Sequence, residues 1–480
     1  MKESSPVDVL LTYPTDGPRV FSPMMPIGLV SIGTVLKKAG YKVKIIDFNF
    51  YSNDFRKELR TLQPRIIGIG GTTPTRSGSF LTARLAKEIL PHVPVVYGGV
   101  NATFTSADTL NAVAEIDYVL KGEGESSFGE FCDVITGKSD REIGQIPGLC
   151  RRTPQGVSEN KAERIRDLSV IPVADRDLLG DNYKLRMEFI GGEGDFLMTS
   201  RGCPAACNFC SAARMFPGGV RTRPMDSVMA EVDYLLSRKN LTGLKLFDST
   251  FTAKKEHVHD FCNCITEYEI PWECEIRADT VDKDLLKLMK ESGCYYINIG
   301  METSNLDHLR HISKGVSPEQ VLAVLQTCKE LDIRSKVFFT FGHMGQTFRE
   351  CLDDIRFIQT NRKNIDFFAV TVGMRIYPGT RLEREWRDCG LAPGNFSWGE
   401  CRQWLKNLLI LEPGDIPVLY QKQLGPFRLF AVLFILLFKR LVCTERFLLR
   451  MSFENSVGFV KFVKLQFRYT LHRVSRLLGI

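Results

Sequence analysis

The run Ser200-Arg201-Gly202-Cys203-Pro204-Ala205-Ala206-Cys207-Asn208-Phe209-Cys210 constrains this chain more than any other stretch. Its C-x3-C-x2-C spacing gathers three thiols in one short loop. Three thiolates hold three irons of a [4Fe–4S] cluster and leave the fourth iron open to a small molecule. An open iron on a low-potential cluster suits reductive cleavage of a bound ligand. A structural zinc site asks for a fourth Cys or His, and no His lies within forty residues of this loop on either side.

At 480 residues the chain exceeds one ordinary core, so two or three domains are expected. The opening residues Met1-Lys2-Glu3-Ser4-Ser5-Pro6 carry no apolar signal region. The cysteines outside the trio are scattered through apolar segments, among them Cys262 and Cys264, and read as reduced, buried thiols of a cytoplasmic protein. Charge is uneven: residues 421–480 hold eleven Lys/Arg against two Asp/Glu, a net +9, so with +7 overall the preceding 420 residues carry −2. The basic character belongs to the tail, and the body is not a nucleic-acid-binding one.

Short apolar runs alternate with amphipathic stretches in the first third. Val7–Leu11, Val43–Phe48, Ile66–Gly70, Val93–Tyr97 and Tyr118–Leu120 read as strands. Leu29–Lys38, Asp54–Leu62, Ser79–Leu90, Ser106–Val113 and Ser126–Thr136 read as helices. Such alternation implies an α/β fold with a doubly wound, Rossmann-like parallel sheet, which binds ligands beyond the carboxyl ends of its strands. Gly70-Gly71-Thr72-Thr73, Gly98-Gly99 and Gly122-Glu123-Gly124-Glu125 fall at those ends, where glycine lets the backbone approach a large ligand. Residues 141–195 are rich in turn formers and read as a linker. From Phe196 to Leu391 strands and helices alternate again, and Phe196–Thr199 leads straight into the cysteine loop.

The cysteine loop and its surroundings resemble the radical S-adenosylmethionine (SAM) enzymes. Pro26-Ile27-Gly28-Leu29, Tyr97-Gly98-Gly99-Val100-Asn101-Ala102 and Val119–Glu125 resemble the cobalamin-binding domain that precedes many of their barrels. The resemblance implies four parts: a cobalamin domain over 1–140, a linker over 141–195, a partial (β/α)6 barrel over 196–391, and a mainly helical region over 392–480. It implies a [4Fe–4S] cluster on Cys203, Cys207 and Cys210, and SAM on the open iron. It places cobalamin against Thr72, Thr73, Gly98, Gly99, Asn101, Gly122, Glu123, Gly124 and Glu125. Many cobalamin proteins ligate cobalt through the His of an Asp-x-His-x-x-Gly motif; none occurs here, and Asn101 stands where relatives often have His. A bound cobalt would then lack a protein imidazole.

Within the barrel, Leu244–Phe251 reads as the second strand, with Asp248 at its end facing either the SAM cavity or a solvated turn. In Trp272–Asp279, alternation places Glu273, Glu275, Arg277 and Asp279 on one face, so a polar interior is expected. Arg277 would bind the SAM carboxylate or orient Glu302. The stretch Tyr296–Ser304 resembles the family's fourth strand, whose Gly300 and Glu302 would hold SAM. The turn Gly342–Thr347 matches a Gly-x-Pro-Gly-Glu-Thr pattern with Met344 and Gln346 substituted, and puts His343 beside the cavity. Met374–Thr380 closes the barrel.

The tail combines Trp398 and Trp404, the apolar run Leu429–Phe438 and a basic, aromatic stretch Phe459–Leu478. Ten apolar residues are too few to span a bilayer. A basic amphipathic segment suits the anionic inner face of a membrane, or else forms a helical cap. The resemblance implies a cobalamin-dependent C-methyltransferase of a hydrophobic small molecule, a hopanoid methylated on ring A at C-3, fed by a flavodoxin- or ferredoxin-type donor. The second reading is a tetrapyrrole methylase or anaerobic ring cyclase. The third is a non-catalytic iron–sulfur electron carrier, which would have no use for Gly300–Glu302 or Tyr377–Thr380.

Overall fold

The structure, a computed structural model, describes residues 7–14, 25–48, 54–180, 183, 185–400 and 416–439. The first sheet contains β1 (Val9–Tyr13), β2 (Val43–Asp47), β3 (Ile66–Gly70), β4 (Val95–Gly98), β5 (Tyr118–Leu120), β6 (Leu149–Thr153) and β7 (Gly156–Glu159), in the order β2-β1-β3-β4-β5-β6-β7. The first five strands are parallel. Helices Ile27–Lys38, Phe55–Leu62, Arg76–Ile89, Val100–Ala112 and Gly124–Thr136 connect them or follow them. Alternation sorts each strand between two cores: Val9, Leu11, Ile45 and Ile66 go to one face, Leu10, Ile46, Ile67 and Ile69 to the other.

The last two strands correct the linker assigned to 141–195. β6 and β7 form an antiparallel hairpin that extends the sheet. Leu149 and Cys150 are buried. Arg152 interrupts the apolar pattern in order to serve a neighbouring helix. Its guanidinium donates to the carbonyls of Leu110, Ile116 and Val113 at 2.8, 2.7 and 2.7 Å. Those are carbonyls at the end of helix Val100–Ala112 and just beyond it, which lack helical partners.

The second sheet is a curled half-barrel. Its elements are β8 (Leu185–Arg186), β9 (Glu193–Leu197), β12 (Gly243–Leu246), β13 (Trp272–Ile276), β14 (Cys294–Glu302), β15 (Arg334–Phe341) and β16 (Phe367–Val372), in the order β16-β15-β14-β13-β12-β9-β8. Six are parallel, and β8 pairs antiparallel with β9. Between β9 and β12, β10 (Ser200–Arg201) and β11 (Arg221–Thr222) make an antiparallel ribbon around the cysteine loop. The closing element is displaced from its expected place: the sixth strand is Phe367–Val372, and Met374–Thr380 forms the turn beyond its carboxyl end.

Trp398 ties the two sheets together. Its indole N–H donates to Glu383 at 2.6 Å, its backbone N–H donates to Asp108 at 3.0 Å, and Arg76 lies over its ring at 5.2 Å. Helix Pro426–Phe438 then packs Leu429, Val432 and Leu436 into the barrel core. Trp404 and Phe459–Leu478 lie outside the described residues. No described helix is long and apolar enough to cross a membrane. Trp398→Ala is expected to lower stability by about 3–5 kcal/mol, as for other buried aromatic truncations, measured by urea unfolding followed by fluorescence.

Candidate active site

The cysteine loop leaves the end of β9 through the ribbon and faces the carboxyl ends of the barrel strands. A cavity of about 380 Å³ opens there. Cys203, Cys207 and Cys210 form one wall, and Glu275, Arg277, Asn298, Gly300, Glu302 and Thr340 of β13–β15 and their ends form another. Among the described residues no three His, Cys, Asp or Glu side chains converge to hold a single ion. A cluster makes no such demand, since each thiolate takes a different iron. Gly202 is required beside Cys203: its φ is +105°, and a Cβ would stand 2.7 Å from the Gly219 carbonyl.

Asp248 sets the loop's departure angle. Its carboxylate accepts the backbone N–H groups of Thr199 and Ser200 at 2.8 and 3.0 Å and their hydroxyls at 2.5 and 3.0 Å. It is buried and lines no part of the cavity. The expected cavity-facing acid is therefore a positioning residue, drawn inward by four donors. Thr250, two residues along, lines the cavity with its hydroxyl 3.4 Å from Cys203 Sγ.

Glu302 sits at a register break in β14, with φ at +70°. A non-glycine residue in that region stores strain, which here turns the carboxylate into the cavity. Lys314 Nζ donates to Oε1 at 2.9 Å and Thr340 Oγ1 to Oε2 at 3.1 Å. Burial works against the charge on Lys314, but Glu302 outweighs it and holds the ammonium above its usual pKa. Lys314 was missed in the sequence because it lies in a turn, twelve residues from its partner. Arg277 does not orient Glu302. It clamps Asp279 at 2.9 and 2.7 Å, and Nη2 also reaches the Lys314 carbonyl at 2.7 Å.

His343 is likewise displaced from the expected cavity position. It is fully buried behind β14, with Nε2 3.5 Å from the Glu302 carbonyl and its ring stacked on His308. Burial pushes its pKa down to about 4, so it is neutral. Gln346 makes the turn in place of the expected Glu, accepting the N–H groups of Gly342 and His343 at 2.7 and 3.2 Å.

In the first domain, Thr72, Thr73, Gly98 and Gly99 stand at the carboxyl ends of β3 and β4. A Cβ on Gly98 would meet the Leu120 carbonyl at an ordinary 3.8 Å, whereas one on Gly99 would lie 2.5 Å from the Gly71 carbonyl. The Asn101 amide is committed within the protein: it accepts from Tyr97 OH at 2.9 Å and donates to Thr73 at 3.3 Å. It shapes the loop and offers no free ligand. Gly122–Glu125 also depart from expectation. Glu123 receives Arg201 at 2.7 Å and Arg221 at 2.9 Å, and Glu125 receives Arg201 at 2.5 Å, all buried. A Cβ on Gly124 would meet Ile32 at 2.8 Å, and one on Gly122 would meet Ala162 at 3.0 Å. This segment binds the ribbon through those ion pairs. Arg76, missed in the sequence, is fully buried, and none of its three guanidinium nitrogens has a hydrogen-bond partner among the described residues. So many orphaned donors beside the β3 loop fit a bound ligand rich in carbonyl or anionic oxygens, as cobalamin is.

Family models match the chain twice: the radical SAM superfamily over residues 197–358 and the B12 binding domain over 19–131. An uncharacterised methyltransferase of Pyrococcus horikoshii is 32% identical over 74% of this chain and 77% of its own length. The anaerobic magnesium-protoporphyrin IX monomethyl ester cyclase of Synechocystis is 29% identical, covering 63% of this chain and 62% of that protein. The hopanoid C-3 methylase of Methylococcus capsulatus is 27% identical, covering 66% and 60%. Among solved structures, the radical SAM methyltransferase TsrM from Kitasatospora setae, with cobalamin and a [4Fe–4S] cluster bound, superposes with a TM-score of 0.68 at 19% identity, over 81% of this chain and 77% of that one. That likeness is one of fold.

The ion pairs around Arg201 make a pH-dependent prediction. Burial pushes the Glu125 carboxyl up, but Arg201 more than offsets this and the net shift is downward. A depressed folded-state pKa stabilises above the ordinary Glu value near 4.3 and ceases to do so as pH falls through the folded value. Glu125→Gln should therefore cost about 3 kcal/mol at pH 7, and the difference between the two proteins in unfolding should shrink as pH falls from the ordinary Glu value through the lower folded one.

Proposed function

Because the chain belongs to the cobalamin-binding branch of the radical SAM superfamily, we propose that it methylates an unactivated carbon of a hydrophobic polycyclic substrate. The observation that carries the reading is the joint between cofactor sites: Arg201, two residues before Cys203, is held by Glu123 and Glu125 of the B12-binding domain.

Cys203, Cys207 and Cys210 would hold the [4Fe–4S] cluster, and Arg76, Gly98 and the loop at Thr72–Thr73 would hold cobalamin. When bound, the cluster supplies the electron that cleaves SAM, and cobalamin supplies methyl-donor chemistry. Glu302 and Arg277 face one cavity and match the two charged ends of an amino acid, carboxylate for ammonium and guanidinium for carboxylate. Lys314 and Thr340 keep the Glu302 carboxylate aimed by donating to its two oxygens. Phe209, Phe338 and Phe339 on the cavity wall exclude water. A flavodoxin- or ferredoxin-type protein would be the electron donor.

A hopanoid methylated on ring A at C-3 is the favoured substrate, supported by the 27% identical methylase. The 29% identical cyclase supports a tetrapyrrole as second reading. A bare electron carrier would not need Glu302 strained into the cavity. A membrane-borne substrate accords with peripheral attachment through residues 421–480.

The deciding experiment incubates the reconstituted protein with methyl-labelled SAM, a reductant and total lipid and pigment extracts. Label in a polycyclic lipid heavier by one methylene, about 14 Da, is the expected outcome; label only in pigment moves the substrate to tetrapyrroles. Replacing Cys203, Cys207 or Cys210 with Ala should abolish cluster absorbance and SAM cleavage, and retained cleavage would overturn the cluster assignment. Gly300→Ala would place a methyl group 2.5 Å from Lys314 Nζ and 2.6 Å from Glu302 Oε1. It should weaken SAM binding by about tenfold, the value of roughly one charge-assisted hydrogen bond, in equilibrium dialysis.

A further inference from the structure

Helix Pro426–Phe438 has two apolar faces, and the described residues cover only one. Leu429, Val432 and Leu436 are fully buried against the barrel. On the opposite face Phe427, Phe430, Phe434 and Phe438 are 83%, 47%, 61% and 81% exposed. At 100° per residue the four rings fall within about 80° of arc. Exposed apolar side chains are ordinarily scattered singly, and a contiguous group marks an interaction face. Of nine large apolar side chains exposed among the described residues, four belong to this helix.

Charge identifies the occupant. No Asp or Glu occurs from Ile416 to Lys439, whereas Lys422, Arg428 and Lys439 do. Residues 440–480 add eight Lys/Arg and two Asp/Glu, a further +6. A cationic segment is not drawn electrostatically over a cationic helix, and two copies of this face repel each other. An anionic lipid surface satisfies both needs, taking up the rings at the headgroup boundary and the cations among the phosphates. We infer that this Phe427–Phe438 face lies flat on anionic membrane and docks the enzyme there. The helix packs on β16, the edge strand of the half-barrel, and β16 supplies Thr371 to the cavity wall. The docked face therefore adjoins the barrel's open side. The inference concerns attachment and stands whichever substrate the cavity takes.

The test is co-sedimentation of the full chain with phosphatidylglycerol/phosphatidylcholine vesicles and with phosphatidylcholine alone, beside a variant with all four phenylalanines changed to Ser. The wild type should prefer the anionic vesicles, less so at high salt. The variant should bind at least about tenfold more weakly, with its thermal midpoint and its SAM cleavage in vesicle-free solution unchanged. Phe434→Trp in the wild-type background should show a blue-shifted emission on adding anionic vesicles. Equal binding by variant and wild type would assign attachment to residues 440–480 and overturn the proposal. So would wild-type dimers, seen by light scattering, that the variant dissociates without change in vesicle binding. Loss of SAM cleavage by the wild type itself in solution would count against the proposed function and leave this docking face untouched.

Discussion

Arg201 is the side chain on which the arrangement of the two domains depends. One guanidinium lies between Glu123 and Glu125 of the first domain, and its backbone belongs to the ribbon that delivers Cys203. Taking three charges out of water is expensive, and such a group is tolerated only where the geometry satisfies it. Arg221, across the ribbon, shares Glu123, and Ile165 N–H donates to the same carboxylate at 3.1 Å. A hydrophobic contact would have joined the domains but tolerated sliding. Paired, directional charges hold the cysteine loop at one distance from the strand ends where the second cofactor would bind.

The barrel side follows the same economy of position. Asp248 binds the strand before the loop through four donors and takes no part in the cavity. Glu302 is the reverse case: its backbone breaks a local rule, at φ +70°, so that its carboxylate turns inward. Strain of that kind persists where the surroundings over-determine it, and Lys314, Thr340 and the glycine at 300 do so here. Arg277 acts one step removed, its Nη2 donating to the carbonyl of the lysine that pairs with Glu302.

Much of this was legible along the chain. The cysteine trio is a local signal, as are the strand ends at Gly70–Thr73 and Gly98–Gly99, because spacing and turn chemistry act between neighbours in sequence. The five parallel strands of the first sheet were readable because parallel strands buried on both faces are apolar throughout. β6 escaped because Arg151 and Arg152 interrupt that pattern, Arg152 for a partner some forty residues away. Asp248, His343, Glu123 and Glu125 were found as special residues and given the wrong neighbours. Charge and alternation mark a residue as unusual without saying which of several donors it will meet.

Sequence alone determined the chemistry available: three thiols in one loop, a doubly wound sheet with glycine-lined strand ends, a polar strand face from Glu273 to Asp279, and a basic tail. Each rests on residue type and short-range periodicity, which survive in a linear string. Only the tertiary structure decided the pairings: Lys314 with Glu302, Arg201 with Glu123 and Glu125, Arg76 left without an acceptor among the described residues, and four phenylalanines left on the outer face of one helix. Those depend on where distant segments meet, and the cost of burying a charge, which makes each pairing obligatory, is settled only once the core around it has closed.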